Sequence, residues 1–256
     1  MAAPRLAAGL TEPDGRCRRM RLLVAGGRRT TVYVACHDAR RTEIRVAVLR
    51  GQQRLEPWCA ARGVQEALVG GFFTRPDGHP LGEVRTRGVE RHHVPFLEPW
   101  AAVRACLHVE GGEARIARRG DLPAAPRGDL LQAGPLLANQ GEPAHAGDTE
   151  GFRAGAVQFD SDITAGRHPR AALGLTDGRI FAVACDGRAG DDAGLTLEEL
   201  ASLMIALGCR DALNLDGGGS TSLVSGGVLR NRPRGDYEEP EIGGRPVSTA
   251  LLFLPR

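Results

Sequence analysis

Asp216 is followed directly by Gly217, Gly218 and Gly219, and then by Ser220, Thr221 and Ser222. Three consecutive glycines are costly to order, so a chain keeps them where the backbone must take φ > 0 or approach another group closely. Such a segment can align several N–H groups into a nest for an anion, and the hydroxyls that follow add donors. A carboxylate beside an anion cradle is the strongest candidate for chemistry in the chain. A tight turn without a ligand is the plainer use of the same residues. Asp186 in Asp186-Gly187 is the second candidate carboxylate, although Asp-Gly after a strand also makes an ordinary turn.

The flanking elements must bring these groups together. Arg179–Cys185 is a β-branched and apolar run, and Ala212–Leu215 is a second, shorter one. Between them the spacing predicts a helix. Thr196 is its N-cap and Glu199 completes a capping box, with Leu195 and Leu200 as the hydrophobic staple. Leu200, Leu203, Met204 and Leu207 fall on one face, and Gly208 closes the helix. Strand, helix, strand implies a crossover; if the two strands run parallel, their carboxyl ends lie on one side and Asp186 and Asp216 face the same crevice.

Upstream, Ala171–Thr176 and Arg179–Cys185 read as a hairpin around Asp177-Gly178. Val103–Val109 and Ala114–Ala117 read as another around Gly111-Gly112. Runs at 22–24, 31–36 and 44–49 suggest a meander, and Glu66–Val69 is a strand leading into Gly70-Gly71-Phe72-Phe73. Residues 139–151 read as a polar surface loop, and residues 1–20 as a loose Ala/Arg/Gly/Pro leader before one domain spanning 21–256. The expected fold class is α+β: a single mixed-sheet domain with a β-rich N-terminal half and a β-α-β unit carrying the Asp-Gly-Gly-Gly-Ser loop.

Composition narrows the function. The net charge is +2 and aromatic content is 4%, too few rings for a nucleic-acid groove built on stacked bases. All 33 basic residues are Arg, which reads as a coding bias of the source genome. No run reaches the roughly 20 apolar residues of a membrane helix, and Arg5 interrupts any signal-like stretch. The six cysteines form no C-x-x-C pair and are expected as free thiols. These features point to a cytoplasmic protein without nucleic-acid or membrane partners. No histidine spacing suggests a metal ligand set, so no metal or cofactor is expected.

The run Ala212-Leu213-Asn214-Leu215-Asp216-Gly217-Gly218-Gly219-Ser220-Thr221-Ser222 resembles the hallmark motif of the phosphodiester glycosidase family. Further pieces follow in that family's order: Gly70-Gly71-Phe72-Phe73, the Gly134-Pro135 stretch, Arg170–Gly174, Asp186-Gly187-Arg188, Asn231-Arg232-Pro233 and Arg245-Pro246-Val247. The resemblance is strong from Arg170 to Leu254 and weak before Glu66. It departs where Val69 stands in place of the family's usual Asn, which bears on substrate choice or on activity itself.

The resemblance implies hydrolysis of an α-linked sugar 1-phosphodiester, with a small glycan or phosphosugar as partner. A phosphate monoester, with its second pKa near ~6, leaves readily, so its protonation matters less than for a sugar alcohol. The implied roles are catalysis by Asp216 and Asp186, and substrate binding by Gly70, Gly71, Phe72, Arg170, Asn214, Gly217, Gly218, Gly219, Ser220, Thr221, Asn231 and Arg245. Arg170 and Arg245 are the expected phosphate partners. Two other functions fit the same loop. One is a sugar or glycerate kinase, although no Gly-x-x-x-x-Gly-Lys-[Ser/Thr] loop can exist in a chain without Lys. The other is a catalytically silent phosphosugar binder.

Overall fold

A computed structural model describes residues 12–154, 156–159, 164–235 and 240–256. Its centre is a seven-stranded sheet with the strand order Asp14–Leu23, Arg29–Asp38, Arg179–Cys185, Arg170–Leu175, Asp211–Asn214, Leu136–Asn139, Glu142–Pro143. Two five-stranded sheets complete the β structure. One contains Ala67–Val69 between Leu223–Ser225 and Val247–Pro255, and the other has Asp129–Gln132 and Ala105–Glu110 at its middle.

The central strands are apolar on both sides because both faces of the large sheet are covered. One face buries Ala171, Leu173, Ala182, Ala184, Leu213 and Leu215 against the two smaller sheets. The other buries Ala172, Val183, Cys185 and Ala212 against the helix Leu197–Ala206. That helix inserts Leu200, Leu203 and Met204 with no solvent exposure, each contributing roughly 1.5–3 kcal/mol. Its capping box forms as expected: Thr196 Oγ1 accepts from Glu199 N at 3.1 Å and Glu199 Oε2 accepts from Thr196 N at 3.0 Å. At the other end Gly208 takes φ 85°, Gly208 N donates to Ile205 O and Cys209 N donates to Met204 O, so the last carbonyls are satisfied.

The expected single mixed sheet does not form. The chain is mostly β, helix-poor, and every pairing between the named strands is antiparallel. The two strands flanking the helix nevertheless run the same way, because Arg170–Leu175 lies between them and is antiparallel to both. A crossover expected to join neighbours therefore skips one strand. Of the expected N-terminal meander only the first pair forms, Asp14–Leu23 with Arg29–Asp38. Thr42–Gln53 leaves the large sheet after the Asp38 turn and pairs with Val247–Pro255, so consecutive strands lie in different layers. Residues 14–20, placed in the leader by composition, form an edge strand with a bulge between Asp14 and Cys17; residues 1–11 lie outside the described part. The six cysteines are free thiols. Among the described residues no helix is long and apolar enough to cross a membrane.

Candidate active site

Strand Asp211–Asn214 delivers Asp216 to one end of the large sheet, where its backbone N–H donates to Gly70 O at 3.0 Å. Gly70 itself is wedged against Thr249: a Cβ there would lie 2.4 Å from Thr249 Oγ1. Gly71 N donates to that same hydroxyl at 3.0 Å. The early glycine pair thus shapes the floor under Asp216 by letting two backbones touch. After Asp216 the chain turns through a short 3-10 segment, Gly218–Ser220. Gly217 is extended and would press a Cβ onto Pro169 O at 2.8 Å, whereas Gly218 has φ +59°. Closeness decides the first glycine and backbone conformation the second.

The loop is not the open nest its composition suggests. Gly217 N donates to Asp216 Oδ1, Gly218 N to Pro169 O, Ser220 N to Gly217 O and Thr221 N to Gly218 O. Those donors hold the Asp216 carboxyl and the loop shape, so positive charge near Asp216 comes from side chains. Burial pushes the Asp216 carboxyl up to about 6, against the lowering pull of the Ser220 hydroxyl, the Gly217 N–H, Arg245 and Arg75. A carboxyl that ionises near neutrality beside two guanidinium groups is suited to act as a base or nucleophile next to an anion. Arg245 also pairs with Glu241 at 3.3 Å, and both side chains lie over Gly219.

Polar atoms without protein partners gather on the same segment. Among the described residues, Asn214 Oδ1, Thr221 Oγ1 and Ser222 Oγ are three of six buried side-chain atoms lacking a hydrogen bond. Native interiors satisfy nearly all such groups, so their concentration within nine residues marks this segment as built for something beyond stability.

Comparison with known proteins gives the family. The phosphodiester glycosidase family model matches residues 62–254, well over half of the chain. The chain belongs to the phosphodiester glycosidase family. Its fold is similar to that of the zebrafish N-acetylglucosamine-1-phosphodiester α-N-acetylglucosaminidase catalytic domain auto-inhibited by its pro-peptide, with TM-score 0.68 and 20% identity, covering 94% of this chain and 83% of that one. A hypothetical protein from Synechocystis gives TM-score 0.66 at 20% identity, covering 94% of this chain and 62% of the other. An SPbeta prophage-derived uncharacterized protein of Bacillus subtilis is 39% identical over 67 residues, which are 25% of this chain and 10% of that protein. The chain thus spans a small part of that phage relative and under two-thirds of the Synechocystis structure.

Within this phosphodiester glycosidase fold, Asp186, expected to be catalytic, and several expected binding residues have their polar groups bonded to the scaffold. Asp186 is buried, and both its oxygens are occupied: Oδ1 accepts from Arg232 N at 2.6 Å, and Oδ2 from Arg232 Nε at 3.3 Å and Tyr33 Oη at 3.2 Å. Arg232 continues to Asp192, which also accepts from Arg21 Nη1 at 2.7 Å. Asp186 therefore ties the loop after Leu229 to the sheet. Arg170 is buried and donates to the carbonyls of Leu195 and Gly166 at 2.7 and 3.3 Å, which a phosphate would have to displace. Asn231 clamps the motif strand, accepting from Leu223 N and donating to Thr221 O. Asn214 donates to the carbonyls of Gly134 and Leu215.

Phe72 is buried 5.2 Å from Phe159 in an aromatic cluster around Arg104, turned into the interior. Val69 is fully buried in the core between sheets. Arg75, Arg188, His168 and Glu241 escaped the sequence reading. Arg188 lay inside the Asp186-Gly187-Arg188 piece without being given a role, and Arg75 stood two residues beyond Gly70-Gly71-Phe72-Phe73, so both had a motif that could have drawn attention to them. The 139–151 segment, read as surface loop, carries the buried Glu150, whose carboxylate accepts from Ala105 N and Leu136 N at 2.7 and 2.5 Å.

Proposed function

We propose that this family member is a hydrolase that cleaves an α-linked sugar 1-phosphodiester, with Asp216 as its catalytic carboxylate. The observation that carries the reading is the placement of Asp216 in a glycine loop whose Gly217 N–H holds the carboxyl and over which Arg245 lies, with burial pushing the carboxyl up to about 6 against the lowering pull of Arg245 and Arg75. Breaking the sugar C1–O bond leaves a phosphate monoester, an anion that departs without full protonation. The demand on the protein is then positive charge around the phosphate and a carboxylate at the anomeric carbon. Arg245 and Arg75 meet the first demand and Asp216 the second. Water supplies the oxygen that ends on C1, and its proton passes to Asp216 or to the phosphate.

In this reading Asp186, Asn231 and Arg170 are positioning groups: they hold the loops that frame Asp216. The substrate is a small phosphosugar, and an N-acetylhexosamine is the first sugar to try because the zebrafish relative is named for one. The test is release of free sugar and methyl phosphate from methyl N-acetylglucosamine 1-phosphodiester. Wild type should release both and Asp216→Asn neither. Intact substrate with wild type, across a panel of sugars, would leave the silent binder as the better account.

A further inference from the structure

Arg188 sits half-buried in the turn after strand Arg179–Cys185, with φ +54°. A non-glycine residue in the left-handed region stores strain and persists where its surroundings enforce it. Here one edge of the guanidinium is held by a histidine. Arg188 Nη2 lies 3.3 Å from His168 Nδ1, while His168 Nε2 lies 2.8 Å from Ala165 O. A carbonyl oxygen only accepts, so Nε2 carries the proton and Nδ1 offers its lone pair to the guanidinium. The other edge lies over the motif loop, where a Cβ on Gly218 would come 3.0 Å from Arg188 Nη1.

The two Asp-Gly turns meet at the same place. A Cβ on Gly187 would stand 2.7 Å from Pro169 N, and one on Gly217 would stand 2.8 Å from Pro169 O. The chain at 168–169 is therefore clasped between them, and His168 is further anchored by reciprocal backbone bonds with Leu195 at 3.1 and 3.2 Å. Arg188 reaches from the Asp186 turn across this clasp to the loop of Asp216. Of the two arginines expected to bind phosphate, Arg170 donates to the carbonyls of Leu195 and Gly166.

We infer that Arg188 is a phosphate-binding residue of the site, oriented by His168, and that it makes the enzyme select phosphodiesters over neutral glycosides. This rests on the hydrolase reading above and names the group that recognises the anionic half of the substrate. A planar guanidinium presents paired donors that match phosphate oxygens. Fixed over the loop that follows Asp216, it would place the leaving phosphate against a charge already in position.

Two measurements on the whole protein test it: binding of N-acetylglucosamine 1-phosphate by calorimetry, and kcat/KM for two substrates. The substrates are methyl N-acetylglucosamine 1-phosphodiester and the neutral p-nitrophenyl α-N-acetylglucosaminide. Arg188→Gln should lower kcat/KM for the phosphodiester by about 10²-fold, the scale of a charged hydrogen-bond pair, and shift the neutral substrate by no more than about threefold. It should also abolish binding of the sugar phosphate. Arg188→Lys, which keeps the charge without the fork, should fall between. His168→Ala should raise KM for the phosphodiester roughly tenfold at near-normal kcat, and His168→Gln, which can both donate and accept, should restore it.

Equal losses on both substrates, in variants that melt like wild type, would make Arg188 a scaffold residue and overturn the inference. If wild type cleaves neither substrate, the hydrolase reading fails while the binding measurement still decides. Binding in wild type and none in Arg188→Gln sustains the phosphate role; equal binding in both, or none in wild type, ends it.

Discussion

Asp186 and Asp216 end two strands that run in the same direction, each is followed by glycine, and both glycines press on Pro169. Their surroundings then part. Asp186 has Arg232, Tyr33 and, through Arg232, Asp192; its carboxylate is consumed by donors that lock one loop to the sheet. Asp216 has a hydroxyl and one N–H on the carboxyl itself and two arginines that act through their charge. Burial raises both carboxyls above the usual range. The lesson is that a perturbed carboxyl becomes a catalytic candidate through what its donors leave available, not through burial alone.

The largest effect should come from Asp216→Asn, with kcat falling at least about 10³-fold, as for removal of a catalytic carboxylate. Its stability should move the other way. Burial keeps the Asp216 proton in the native state to about pH 6, well above the usual carboxylate range, so folding weakens as pH rises from about 4 to about 6. Above pH 6 the variant should be more stable than wild type by roughly 1–3 kcal/mol, read as a raised Tm. Wild-type kcat/KM should correspondingly rise with pH through about 6, the acid limb disappearing if another group is the base.

Asp186→Ala should instead cost about 2–4 kcal/mol by stranding Arg232 N and Tyr33 Oη, with kcat of the surviving folded fraction reduced far less than by Asp216→Asn. Equal kcat losses would restore Asp186 as a catalytic partner. The glycines give a matched pair. Gly217→Ala and Gly187→Ala should each cost roughly 1–3 kcal/mol from overpacking against backbone, and only the former should also lower kcat by about 10²-fold through displacement of Asp216.

Acid stability separates the two aspartates from an unrelated group. His37 is buried against Phe253, and burial lowers its pKa from 6.5 to about 4. The unfolded chain therefore takes up that proton first, and stability is lost as pH falls from 6.5 towards 4, by up to roughly 3 kcal/mol. Asp216 has the opposite slope across nearly the same window, so Asp216→Asn should sharpen the acid loss seen by thermal melting. The smallest effect belongs to Tyr33→Phe, about 1 kcal/mol for one lost hydrogen bond, with kcat unchanged.

Much of the fold was legible because its signals are local. The capping box at Thr196 and Glu199, the staple of Leu195 and Leu200, and the Gly208 cap each need only a few neighbouring residues, and the helix formed where they put it. The Asp177-Gly178 hairpin did likewise, pairing Arg170–Leu175 with Arg179–Cys185. The layer arrangement was not legible. Whether Thr42–Gln53 pairs with the strand before it or with one some 200 residues later depends on long-range burial, which no short window records. The same applies to the strand inserted between the two that flank the helix.

For the site, sequence alone determined the family and, after Asp216, positions where glycine is required, since a run of unusual backbone residues leaves its mark in composition. Tertiary structure decided how each remaining residue is employed. Arg170, Asn231 and Asp186 sit in the motifs but have their polar groups turned onto backbone and loops. Arg75 and Arg245 come from distant parts of the chain to act on Asp216, lowering the pKa that burial raises. Hydrogen-bond donors and electrostatic fields act through space at a few ångströms, so their assignment waits on which distant segments the fold brings that close.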